Sequence, residues 1–231
     1  MKALLWKDYR TNQPLLVIGV VLLLTPYAVL IGWIWYSVGL TAATPTQWAE
    51  SLLMAAQASL ACSQLTLLLL AGTIIAGERR DRSAEFLAYL PPSRPAILTS
   101  KALLSAATVA VIWGLTLAIV GLVGPALDAE AVSGTHRTAL LEFLAIMATS
   151  GVALFGTAWL GSSMLESPTY STAIGLLAVM LLPFLLNACR MVSGWPDNSA
   201  SFVHALRLLY VGCGIAGFLV GWTYYVRRVE P

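Results

Sequence analysis

Residues 15–40 read LLVIGVVLLLTPYAVLIGWIWYSVGL, 26 residues without a single Asp, Glu, Lys or Arg. A helix needs about 20 residues to cross ~30 Å of hydrocarbon, so this run is long enough to span a bilayer. It is too long for the h-region of a signal peptide, about 7 to 15 residues, and Asp8 interrupts the basic start that precedes it. The run therefore reads as a permanent anchor.

Five further charge-free runs follow: Leu52–Ala76, Ala102–Gly124, Phe143–Leu165, Tyr170–Cys189 and Leu208–Val226. The whole chain has 231 residues, of which 58% are hydrophobic and 10% charged. Soluble domains are about 25% charged, and so large an apolar excess cannot be hidden in one soluble core. Membrane barrels are built from segments of about 10 residues with in-out alternation, whereas these runs are apolar on every side. The pattern predicts an all-α integral membrane protein with six transmembrane helices in a single domain over residues 1–231.

The charges set an orientation. Lys2, Lys7 and Arg10 precede the first run; Arg79, Arg80, Arg82, Arg94 and Lys101 lie between the second and third; Arg227 and Arg228 follow the sixth. Only Arg137, Arg190 and Arg207 fall on the other side. Basic residues in short loops are retained in the cytoplasm, so both termini are expected there. For residues 1–14 two readings fit. Leu5, Trp6 and Tyr9 share a helix face away from Lys7 and Arg10, as in a short interfacial helix; a frayed basic tail would set the same topology.

Between the second and third runs stands the one dense block of charge, residues 77–94, GERRDRSAEFLAYLPPSR. As a helix it places Glu78 four residues before Arg82, Arg82 three before Glu85, and Phe86 four before Leu90, giving one charged and one apolar face. Pro91 and Pro92 end it, and Pro95 suits the first turn of the next span. A short amphipathic helix pinned between two spans is a lever for a partner; the periodicity fits equally an interfacial loop whose arginines only obey the orientation rule.

The run from Arg82 through Glu85-Phe86-Leu87 and Leu90-Pro-Pro-Ser-Arg94, with Ile97, Leu98 and Lys101 beyond it, resembles the cytoplasmic loop of type-2 ABC transporter permeases. The match is local, about 25 residues, while span count, spacing and the basic start agree along the chain. It departs at Ser83-Ala84, where the family more usually has a glycine and a hydroxyl residue. The resemblance implies that residues 77–95 form a cytoplasmic coupling helix docking a separate ABC ATPase through Glu78, Arg79, Arg82, Glu85 and Phe86. It further implies export across the inner membrane of a prokaryote, a second permease copy or paralogue as dimer partner, and ATP and Mg held by the ATPase, with no cofactor in this chain.

Two glycine-rich stretches imitate nucleotide sites. Gly156-Thr-Ala-Trp-Leu-Gly161-Ser-Ser163 has phosphate-loop spacing but serine in place of the required lysine. Gly212-Cys-Gly-Ile-Ala-Gly217 spells the dinucleotide fingerprint, yet no strand precedes it and no acid follows about 20 residues later. Gly217 and Gly221 instead predict a surface for close helix packing, within the chain or in a dimer. His136 and His204 have no second ligand at metal spacing, the three cysteines read as packing residues, and nothing resembles a nucleic-acid site.

In the second span Gln57, Ser63 and Gln64 form a polar stripe. Such residues line a substrate path or hydrogen-bond between helices, and the second use is the commoner. At mid-membrane the charge-free runs hold no Asp, Glu, Lys, Arg or His, which disfavours an ion-driven carrier. A non-transporting scaffold that docks a soluble partner through the same loop is the alternative from another class.

Overall fold

The computed structural model describes residues 2–37, 44–80, 93–127, 134–193 and 199–228. These form seven helices: α1 (Lys2–Ser37), α2 (Pro45–Thr73), α3 (Ala76–Arg80), α4 (Arg94–Leu127), α5 (Gly134–Met164), α6 (Pro168–Ser193) and α7 (Ser199–Arg228), with no strand among the described residues. All except α3 are long and apolar enough to cross a bilayer, the architecture of a multi-pass membrane protein. Large apolar side chains stand exposed along them, among them Trp33, Trp35 and Tyr36 on α1 and Phe184 and Val192 on α6. Lipid is the solvent that suits such faces.

Each long helix has more residues than the charge-free stretch that foretold it. At 1.5 Å per residue α1 is about 54 Å long, well beyond the hydrocarbon thickness, and it continues without interruption through Pro14 and Pro26. Residues 2–13 are the first turns of the helix that carries the first span. Trp6 and Tyr9 are exposed as expected, and Arg10, expected to point elsewhere, lays its guanidinium over the Trp6 ring 5.9 Å from the centroid.

The chain divides into two compact units. One comprises the described residues of Met1–Gln13, Leu67–Ser105 and Ala148–Pro231. At its centre Leu70, Ala71, Ile74, Ile75, Leu98, Ala158 and Trp159 are buried together. Trp159 packs against Phe155 and Phe218 with ring centroids 5.7 and 5.2 Å away, and Phe218 against Trp222 at 5.8 Å. What lets α5 and α7 come so close is glycine on both sides. A Cβ built on Gly156 would overlap the Gly214 carbonyl, one on Gly217 would lie 2.7 Å from the Gly156 oxygen, and one on Gly221 would lie 2.9 Å from Trp159 and Ser163. Gly217 and Gly221 make a close contact with α5 within the chain.

The other unit comprises the described residues of Pro14–Thr66 and Ala106–Met147. Here Gly19 gives room to the Thr66 side chain, and Ser59 Oγ donates to the Leu23 carbonyl, joining α1 to α2. Gln64 Nε2 donates to the Met147 carbonyl of α5 at 3.2 Å.

The close crossing makes a prediction. Gly156→Ala and Gly217→Ala, which push a methyl group onto backbone, each lower stability by about 1–3 kcal/mol. Gly32→Ala and Gly114→Ala, where an added Cβ meets nothing, leave it unchanged or slightly higher. Thermal unfolding of the four variants in one detergent checks this.

Candidate functional site

The block of charge after the second span begins with a broken helix. α2 stops at Thr73, Ile74 and Ile75 form a turn, and α3 resumes at Ala76. The break is not at the surface: Ile74, Ile75 and Ala76 are all buried. No proline causes it. Buried backbone groups released from a helix must find partners, and here side chains of two other helices supply them. The amides of Ile75 and Ala76 both donate to Ser162 Oγ on α5, at 3.2 and 2.9 Å. The Ile74 carbonyl accepts from Lys101 Nζ on α4 at 2.9 Å. Helical bonding picks up again where Arg79 N donates to Ile75 O at 3.3 Å.

Lys101 holds more than that carbonyl. Its ammonium lies 3.0 Å from Glu78 Oε1 on α3 and 3.4 Å from Asp8 Oδ1 on α1. Glu78 Oε1 is also 2.6 Å from Lys7 Nζ. Asp8 accepts from Ser100 Oγ through its other oxygen, and its own backbone carbonyl accepts from Asn12 Nδ2 at 2.8 Å. The result is two carboxylates and two ammonium groups drawn from three helices. The side chains of Lys101, Asp8 and Glu78 are 1%, 4% and 10% exposed, and that of Lys7 is 35% exposed. Ions removed from water this completely are tolerated only when paired and further hydrogen-bonded, which is the arrangement found.

This geometry places the sequence-derived residues unevenly. Glu78 is a buried partner of Lys7 and Lys101 rather than a solvated member of a docking face; Arg79 is half-buried on α3. Arg82, Glu85 and Phe86 lie outside the described residues, as does the rest of 81–92. In the second span Gln64 bonds across to α5, Ser63 Oγ donates to the Leu60 carbonyl of its own helix at 2.8 Å, and Gln57 is half-buried. The first two bonds are of the interhelical and back-bonding kind.

Asp8, Ser100, Lys101 and Ser162 were not among the candidate site residues drawn from the sequence, although Asp8 figured in the reading of the first run and Lys101 in the orientation and the resemblance. Signals existed: Asp8 is the only acid among the first 49 residues, and Lys101 is the last charge before an apolar run. Lys101 stands on α4, one residue before its charge-free run and within the apolar stretch Arg94–Ile119. Ser162 belongs to the imitation phosphate loop. Among the described residues, no three His, Cys, Asp or Glu side chains come together as metal ligands would.

Comparison with protein-family models, curated proteins and solved structures found no match.

Removing one member of a buried, charge-balanced ion cluster leaves an uncompensated charge behind. Lys101→Met is expected to lower stability by about 3–5 kcal/mol. Lys7→Met, at the wetter edge, is expected to lower it by about 1 kcal/mol or less. Unfolding midpoints of the two variants in detergent check the ranking.

Proposed function

We propose that the chain is the membrane subunit of an ABC exporter, in which a separate ATPase docks on the segment that follows α3. The observation that carries the reading is the anchoring of α3. A segment that receives force from a soluble partner must not fold away when pushed, and α3 is tied by Glu78 to α1 through Lys7 and to α4 through Lys101. Directly beyond it runs the Arg82 to Arg94 sequence that resembles the family's docking loop.

In this reading the chain hydrolyses nothing. ATP and Mg belong to the partner ATPase, whose closure displaces the docking segment and rearranges a pore built with a second permease unit. Both termini and residues 77–95 face the cytoplasm of a prokaryotic cell, in accord with the basic residues clustered on that side. Glu78 is reassigned from direct docking to support, because it is buried; Arg79, Arg82, Glu85 and Phe86 remain the docking contacts. Gln57 and Gln64 are left to helix packing, which Gln64 already performs.

Single charge reversals, Arg82→Glu and Glu85→Arg, test this in cells that also express the cognate ATPase. Co-purification of the ATPase is expected to fall at least about tenfold, a loss of 1.4 kcal/mol or more in docking. Full binding and full ATP-dependent flux in both variants would overturn the proposal. Binding without flux of any substrate would favour the scaffold instead.

A further inference from the structure

The docking proposal says where force enters; the broken helix indicates where it goes next. Three backbone groups at the break, the amides of Ile75 and Ala76 and the carbonyl of Ile74, are taken by side chains from outside α2 and α3. Ser162 of α5 takes the two amides, and Lys101 of α4 takes the carbonyl. Lys101 reaches past the break to Glu78 on α3 and sideways to Asp8 on α1. One ammonium group thus touches the end of α2, the body of α3 and the first turns of α1 while belonging to α4.

We propose that Lys101 is a positioning residue, a charged pin that fixes α3 at the break and passes any displacement of α3 to α4 and to residues 2–13 of α1. The physical reason is directional. An apolar contact slides at little cost, whereas the Lys101 ammonium, 1% exposed, cannot leave Glu78, Asp8 and the Ile74 carbonyl without becoming an unpaired buried charge. Ser162 has a different task. Its hydroxyl oxygen accepts two amides at once, so it holds the break open against the tendency of the chain to close into one continuous helix.

The arrangement also explains why the break needs neither glycine at the turn nor proline. It is imposed from α4 and α5, and Ile74 and Ile75 are packed in the core beside Leu70 and Trp159.

The inference deepens the permease reading and rests on it only for the source of the push. The test needs no ATPase: amide hydrogen exchange on the full chain in lipid nanodiscs, comparing wild type with Ser162→Ala and with the double variant Asp8→Asn/Lys101→Met. The double variant removes one cation and one anion together, so it leaves no net buried charge and is expected to fold. Exchange across residues 75–80 and residues 2–13 is expected to rise together by about tenfold or more in the double variant, while residues 153–164 stay within about twofold of wild type. Ser162→Ala is expected to accelerate the Ile75 and Ala76 amides alone. Unchanged exchange at 75–80 in the folded double variant would overturn the pin, as would an equal rise in every helix, the mark of a merely structural residue. Either failure leaves ATPase docking standing on its own co-purification test.

Discussion

An ammonium group withdrawn from water needs its charge answered by the protein, and for Lys101 the answer comes from Asp8, Glu78 and the Ile74 carbonyl. Much of the surrounding structure follows from that requirement. Asp8 has to lie on the buried face of α1, which fixes the rotation of that helix's first turns and sends Trp6, Tyr9 and Arg10 outward. Glu78 has to lie on the inner face of α3, which turns Arg80 to the exposed side. Lys7 completes the balance, so that two negative and two positive groups share one site.

The cluster brings little net stability for its own sake. Buried ion pairs are often matched or surpassed by apolar residues of similar volume, and their attested use is to specify one arrangement over others. In an apolar bundle that need is acute, because Leu, Val and Ile pack against one another in many registers with little to choose between them. The Gly156, Gly214 and Gly217 crossing answers the same need by shape: only there can the backbones of α5 and α7 approach so closely. Charge fixes α1, α3 and α4, and close packing fixes α5 and α7. Ser162, one turn beyond Ala158 and Trp159 on α5, joins the two devices at the helix break.

Six charge-free runs gave the six long helices because hydrocarbon length is a constraint that composition obeys directly. Gly217 and Gly221 were legible for a related reason, since a four-residue glycine spacing has few uses in a span. The cluster was not legible. Lys7, Asp8 and Lys101 stand at the edges of apolar runs, where charge ordinarily meets water, and only the pairing in three dimensions shows that Asp8 and Lys101 are buried. The break after Thr73 was equally hidden. Sequence rules look for proline or glycine at such a point, and here the cause lies on α4 and α5, 27 and 86 to 87 residues away. A lone acid in a basic start and a lysine bordering a span were the available hints, and they gain meaning only as partners.

Lys101 and Glu78 act as one buried charge unit. A double-mutant cycle over Glu78→Gln and Lys101→Met, read as unfolding free energy in a single detergent, measures this most directly. The double variant leaves the balanced pair Lys7 and Asp8 behind, so its loss should fall short of the sum of the single losses by about 1–3 kcal/mol. Strictly additive losses would mean that the two groups do not sense each other, and would contradict the central claim.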